Sequence, residues 1–166
     1  MMDNPTIQNA VKFAVATEEM GARTYEKLAE RFSDQKEVSE AFSLLAGDER
    51  SHREQFKALL KDLPAEGDAW SENERGRYLM AMARSEFFVG EDGLAKSLEE
   101  IQSLDEALTH VLGFEKATLG YYQALKDVLG DQKALDAIIQ AEKEHVARVM
   151  QYILTDEKMR GIRDKY

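Results

Sequence analysis

Residues 38–59 read VSEAFSLLAGDERSHREQFKAL, and at alternating spacings of three and four they leave a single stripe: Val38, Phe42, Leu45, Glu49, His52, Phe56 and Leu59. That spacing is the one by which a helix turns one face to its neighbours in a bundle. The stripe is apolar at both ends and interrupted in the middle by a carboxylate and an imidazole three residues apart. Both point inward, one turn above the other. Polar groups in a core are expensive unless compensated, so this stretch predicts a helix bundle with something charged at its centre.

The same spacing recurs on three other stretches. Ile7, Val11, Ala14, Glu18, Gly21, Tyr25, Leu28 and Phe32 form one stripe, and Leu104, Leu108, Val111, Glu115, Thr118, Tyr122, Leu125 and Leu129 another, each with one carboxylate in a core slot. A third runs Leu135, Ile138, Glu142, His145, Val149 and Tyr152, repeating the Glu-x-x-His spacing. Four carboxylates and two imidazoles near the middle of their stripes would meet at one level of the interior. A buried, uncompensated carboxylate costs several kcal/mol, whereas two divalent cations would supply the opposing charge. Carboxylate oxygen with imidazole nitrogen suits iron or manganese, and zinc is also compatible.

Chance alone is a poor account of this pattern. With 20 Glu in 166 residues, a Glu three before a given His arises by accident roughly one time in eight, and here both pairs fall on core stripes. The third histidine, His110, lies five residues before Glu115, which turns it well away from that face, so it is expected at the surface or toward another subunit. Glu19, Glu54 and Glu144 lie off the stripes and read as solvated charges. Asp48 precedes Glu49 and is placed to reach an imidazole on an adjacent helix, an arrangement that metal-bound histidines need. Tyr25 and Tyr122 each follow a site glutamate by two turns and are placed to hydrogen-bond a carboxylate across the bundle.

Composition agrees with an all-α chain. Two prolines, Pro5 and Pro64, and long stretches of Ala, Leu, Glu, Lys and Gln favour helix. Helices are expected over about residues 5–32, 35–63, 104–129 and 132–155 in a single domain spanning 1–166. The first opens at Pro5 behind Asn4, the third at the capping box of Ser103 and Glu106, and the fourth at Asp131; Gly130 stops the third and Pro64 the second. Between them, residues 65–102 form a crossover broken by Gly67, Gly76, Gly90 and Gly93, with a short helix from the capping box Ser71 and Glu74. Its apolar cluster from Tyr78 to Val89 reads as packing, and residues 156–166 as a charged tail.

The net charge of −10 disfavours a nucleic-acid partner, and no run of about 18 apolar residues suggests a membrane span. With no signal peptide legible in residues 1–10, a cytoplasmic location is expected. The absence of cysteine removes disulfides, thiolate metal sites and thiol redox relays.

Two helical hairpins joined by one long connection give the topology of a ferritin-like four-helix bundle. The halves also echo each other: Glu18 with Tyr25 then Glu49-x-x-His52, and Glu115 with Tyr122 then Glu142-x-x-His145. From about Ile7 to Leu154 the chain resembles the rubrerythrin branch of the ferritin-like di-iron carboxylate proteins. The resemblance implies two iron ions held by Glu18, Glu49, His52, Glu115, Glu142 and His145, two of the glutamates bridging, with Tyr25 and Tyr122 behind them. It further implies reduction of hydrogen peroxide or dioxygen; separately, a homodimer is expected as the assembly. Many rubrerythrins carry a cysteine-ligated iron domain that this sequence lacks, so electrons would come from an external donor. Many also carry an extra carboxylate near the third-helix glutamate, where this chain has Val111, Leu112 and Thr118. Three alternatives stay open: an iron-oxidising storage protein, a di-manganese or other di-metal protein, and a helical scaffold with a vestigial site.

Overall fold

The structure is a computed structural model that describes residues 7–63, 79, 81, 98 and 100–163, with side chains described in the last helix as far as Thr155. Four long helices account for nearly all of it: α1 (Ile7–Arg31), α2 (Lys36–Asp62), α3 (Leu104–Leu129) and α4 (Lys133–Arg163). No strand occurs among the described residues. The expected opening at Asn4 and Pro5, the glycines and capping box of the crossover and most of its apolar cluster lie outside the described residues.

Helix ends follow local chemistry. Ser103 Oγ accepts from the Glu106 amide at 3.2 Å, and Glu106 Oε2 accepts from the Gln102 amide at 2.8 Å, so the box reaches back one residue further than its simplest form. Gly130 stops α3 with φ 72°, which disfavours any side chain, and its amide donates to the Lys126 carbonyl at 2.8 Å. Leu63 ends α2 in extended conformation directly before Pro64, as the proline ring requires of its predecessor.

Two expectations need correcting. Helix α4 begins at Lys133, so Gln132 takes the cap position, its carbonyl accepting from the Asp136 amide at 2.9 Å, and Asp131 lies outside. The same helix runs on to Arg163 instead of ending near Thr155. The physical reason is that residues 156–163 contain no proline, and the single Gly161 lowers helix propensity without breaking the hydrogen-bond ladder.

Helix α1 packs along α2 and α3 along α4, and the two hairpins meet through α1 against α3 and α2 against α4. Each helix is about 40 Å long at 1.5 Å per residue. The core has two apolar halves. One contains Tyr25, Leu28, Phe32, Phe42, Leu45 and Leu108, and the other Val11, Phe56, Tyr122, Leu125, Leu135 and Ile138, all buried. Arg31 fastens the incoming end of the crossover to α1, donating from Nη1 to the Leu98 and Ile101 carbonyls at 2.7 Å each. Tyr152, assigned to the core by its spacing, is 37% exposed and lines a cleft with Val38, Leu104 and Val149. Among the described residues no helix is long and apolar enough to cross a membrane.

Candidate metal centre

Between the two apolar halves lie Glu18, Glu49, His52, Glu115, Glu142 and His145, each at most 5% exposed. One carboxylate comes from α1 and one from α3, and one Glu-x-x-His pair from each of α2 and α4. All six residues expected from the sequence therefore come together. Their ligand atoms fall into two overlapping groups, Glu18, Glu49, His52 and Glu142 on one side and Glu49, Glu115, Glu142 and His145 on the other. Within each group the atoms lie within 4.8 Å of one another.

Two tyrosines divide the four carboxylates into two kinds. The Tyr25 hydroxyl donates to Glu115 Oε1 and the Tyr122 hydroxyl to Glu18 Oε1, each crossing between α1 and α3. Glu115 and Glu18 thus keep only Oε2 free, whereas both oxygens of Glu49 and of Glu142 lack a hydrogen-bond partner. Burial first, then the facing carboxylates, hold both phenols well above their ordinary range, so they are neutral donors. The glutamates common to both groups are the two with both oxygens free. Glu142 Oε1 lies 2.9 Å from His52 Nδ1 and its Oε2 lies 3.8 Å from His145 Nδ1, so one carboxylate faces both sides of the site.

The imidazoles face the centre through Nδ1. His52 Nδ1 also lies 3.6 Å from Glu18 Oε2, and His145 Nδ1 lies 3.3 Å from Glu49 Oε1 and 3.4 Å from Glu115 Oε2. Neither Nδ1 makes an aligned hydrogen bond. The rings stand 5.4 Å apart at 29°. On its far side His145 Nε2 meets Asp48 Oδ2 at 3.3 Å, the contact anticipated for Asp48. With Nδ1 facing the ligand cluster, Nε2 is the nitrogen placed to donate to Asp48.

The electrostatics of the metal-free site show its strain. Burial and then the neighbouring carboxylates drive Glu49 well above the usual range; burial also drives Glu142 up, partly opposed by His52. Burial alone would lower His52, but Glu142 and Glu18 outweigh it and push it up to about 10. Eight buried donor atoms, six carboxylate oxygens and two imidazole nitrogens, are left without a hydrogen bond. Buried polar atoms are paired in the great majority of native structures. An orphan set of this size, all of it metal-ligating and all on facing helices, fits two cations of matching total charge.

Other residues keep to the surface. Glu19 pairs with Arg53 and Arg23, Glu54 with Lys57 and Arg53, and Glu144 accepts from Gln140. His110 is half-buried instead of fully at the surface, beside a shallow cleft lined by Glu100, Ile101, Asp105 and Glu106. Of the three residues named near Glu115, Thr118 is buried and polar, and its hydroxyl turns back to donate to the Phe114 carbonyl at 2.6 Å. Several core residues lie off the stripes read from the sequence, Phe114 and Tyr121 among them. Phe114 fills the space left by Gly21, and Tyr121 donates to the Ala10 carbonyl at 3.0 Å. The adjacent pair Tyr121-Tyr122 was the available signal, since one of two neighbouring tyrosines on a buried helix must leave the main stripe.

Fold and site together define a four-helix bundle with a carboxylate-rich di-metal site. The chain belongs to the rubrerythrin family, whose model matches residues 9–153. A Thermotoga maritima structure described as that of a ferritin-like diiron-carboxylate protein superposes with a TM-score of 0.68, covering 90% of this chain and 95% of that one at 24% identity, a likeness of fold. Comparison with curated proteins gave no match.

Proposed function

We propose that the protein is a non-haem di-iron oxidoreductase that reduces hydrogen peroxide or dioxygen in the cytoplasm, with electrons from an external donor protein, and that it works as a homodimer. The observation that carries the metal reading is the set of eight buried, unpaired donor atoms converging from four helices. Glu18, Glu49, Glu142 and His52 would hold one ion, and Glu115, Glu49, Glu142 and His145 the other, with Glu49 and Glu142 shared. Two ferrous ions held there would supply Lewis acidity and the two electrons that, with two protons, reduction of one peroxide to two waters consumes.

The rest of the task falls to the chain. The four helices present the donors in fixed register, so little reorganisation accompanies loading. Tyr25 and Tyr122 occupy one oxygen of Glu115 and Glu18 and so hold each of these carboxylates to a single inward oxygen. Phe42, Leu45, Phe56 and Phe114, all buried, keep bulk water from the centre and confine the chemistry to small oxidants. Asp48 fixes the orientation of His145.

The test is elemental analysis of protein loaded anaerobically with ferrous iron, followed by mixing with peroxide or oxygen. About two irons per chain and oxidation of both per peroxide are expected. Two irons that react only with oxygen and deposit as a growing mineral would favour the storage reading. Failure to take up iron, manganese or zinc would sink the di-metal reading itself.

A further inference from the structure

The two halves of the site repeat the same ligands and the same tyrosines, and they differ at the position before each Glu-x-x-His pair. There, α2 has Asp48 and α4 has Ala141. Asp48 reaches across to His145, with Oδ2 3.3 Å from Nε2. Its positional counterpart on α4, residue 141, carries only a methyl group, which accepts no hydrogen bond. The difference is built into one side chain, and every group that faces the centre is otherwise duplicated: a tyrosine-held glutamate, a shared glutamate and an inward Nδ1 on each side.

We infer that the two metal positions are inequivalent, that the position served by His145 is filled first and released last, and that Asp48 is the positioning residue responsible. This rests on the di-metal reading above. The argument is one of ligand basicity and preorganisation. An imidazole whose outer N–H is held by a carboxylate is locked in the tautomer that offers Nδ1 inward and donates more electron density to the metal. His52 receives neither benefit from residue 141, so its side of the site takes the second ion more weakly. Arg148, with Nη1 3.6 Å from the same Asp48 oxygen, shares the carboxylate and so moderates the effect. Asp48 is itself half exposed, so it can be changed without opening the core.

The consequence reaches function. Metals of unequal affinity load in order, and the ion on the His52 side is the one that exchanges. A one-metal form, with the ion on the His145 side, should exist at substoichiometric metal.

The experiment is anaerobic titration of the full chain with cobalt(II) or ferrous iron against a competing chelator, with cobalt d–d bands or Mössbauer doublets reporting each position. Wild-type protein should show two separate steps. Asp48→Ala should weaken the tighter step by roughly 10–100-fold, shift its spectroscopic signature and draw the two steps together. Asp48→Asn, which keeps an acceptor without the charge, should recover part of the loss, and Ala141→Asp should strengthen the weaker step. Circular dichroism of each metal-free variant checks that it folds. Two equal steps in the wild type, or equal weakening of both by Asp48→Ala, would overturn the inference while leaving the di-metal reading standing. Absence of any metal uptake by the wild type would instead remove that reading.

Discussion

Each buried residue of the centre is held by something that costs stability when removed. Tyr122→Phe deletes the one hydrogen bond that Glu18 Oε1 accepts among the described residues, in a fully buried site. Unfolding in urea should show a loss of about 1–3 kcal/mol, while metal stoichiometry stays near wild type because Glu18 Oε2 is untouched. Glu142→Gln works in the opposite direction. It removes the charge of a carboxylate driven upward by burial and by Glu115 and Glu18, a shift that His52, 2.9 Å from its Oε1, opposes only in part. Metal-free Glu142→Gln should therefore melt at or above the wild-type temperature and yet hold metal at least tenfold more weakly. A variant that melts lower and binds normally would refute the role given to Glu142.

At the level of the helix, glycines separate packing from propensity. Gly47 on α2 and Gly113 on α3 have nothing within 4 Å of an added Cβ, and both are exposed. Alanine at either should stabilise by about 0.5–1 kcal/mol, read from the shift of the denaturation midpoint. Gly21 on α1 is different. An added Cβ would lie 3.0 Å from Phe114 Cε1, 3.2 Å from its Cζ and 3.3 Å from Glu49 Cγ. The Phe114 ring is wedged against Tyr25, with centroids 6.2 Å apart and the rings nearly perpendicular, so it cannot simply swing away. Gly21→Ala should lose the propensity gain to this crowding and displace Glu49, lowering metal occupancy where the other two alanine variants leave it unchanged. Elemental analysis of the three variants side by side decides the matter.

For the whole molecule, protons and metals compete for one interior. His52 titrates near 6.5 when unfolded and at about 10 in the metal-free bundle, so over that interval the native state holds the extra proton. Stability from this group is fully present below pH 6.5 and is lost as pH rises through about 10. Glu49 and Glu142 act in the same sense, since both are raised above the ordinary 4.5. The melting temperature of the metal-free protein should fall across this range, by about 2–4 °C for each kcal/mol lost. Metal reverses the trend. Loading ejects the protons, so affinity rises with pH, and a ligand at a hundred times its Kd adds about 2.7 kcal/mol. Differential scanning calorimetry with and without metal, at several pH values, should show the two curves diverging as pH rises; parallel curves would refute the linkage.

The hydrophobic stripes and the charges that interrupt them determined, before any coordinates, that the chain is an all-α bundle with Glu18, Glu49, His52, Glu115, Glu142 and His145 at one level. They could do so because helical periodicity is a local property, and a carboxylate in a core slot is visible in the sequence. Tyr25, Tyr122 and Asp48 were legible as candidates by register alone. Tertiary structure decided how they divide the work: which glutamate each tyrosine caps, that Glu49 and Glu142 keep both oxygens free, and that Asp48 serves His145 with Ala141 as its silent counterpart. It also decided that Tyr121 and Phe114 belong to the core, that His110 is half-buried, and that α4 runs to Arg163. These depend on which faces of different helices meet and how closely, and residue spacing along one helix carries no record of the distance to another.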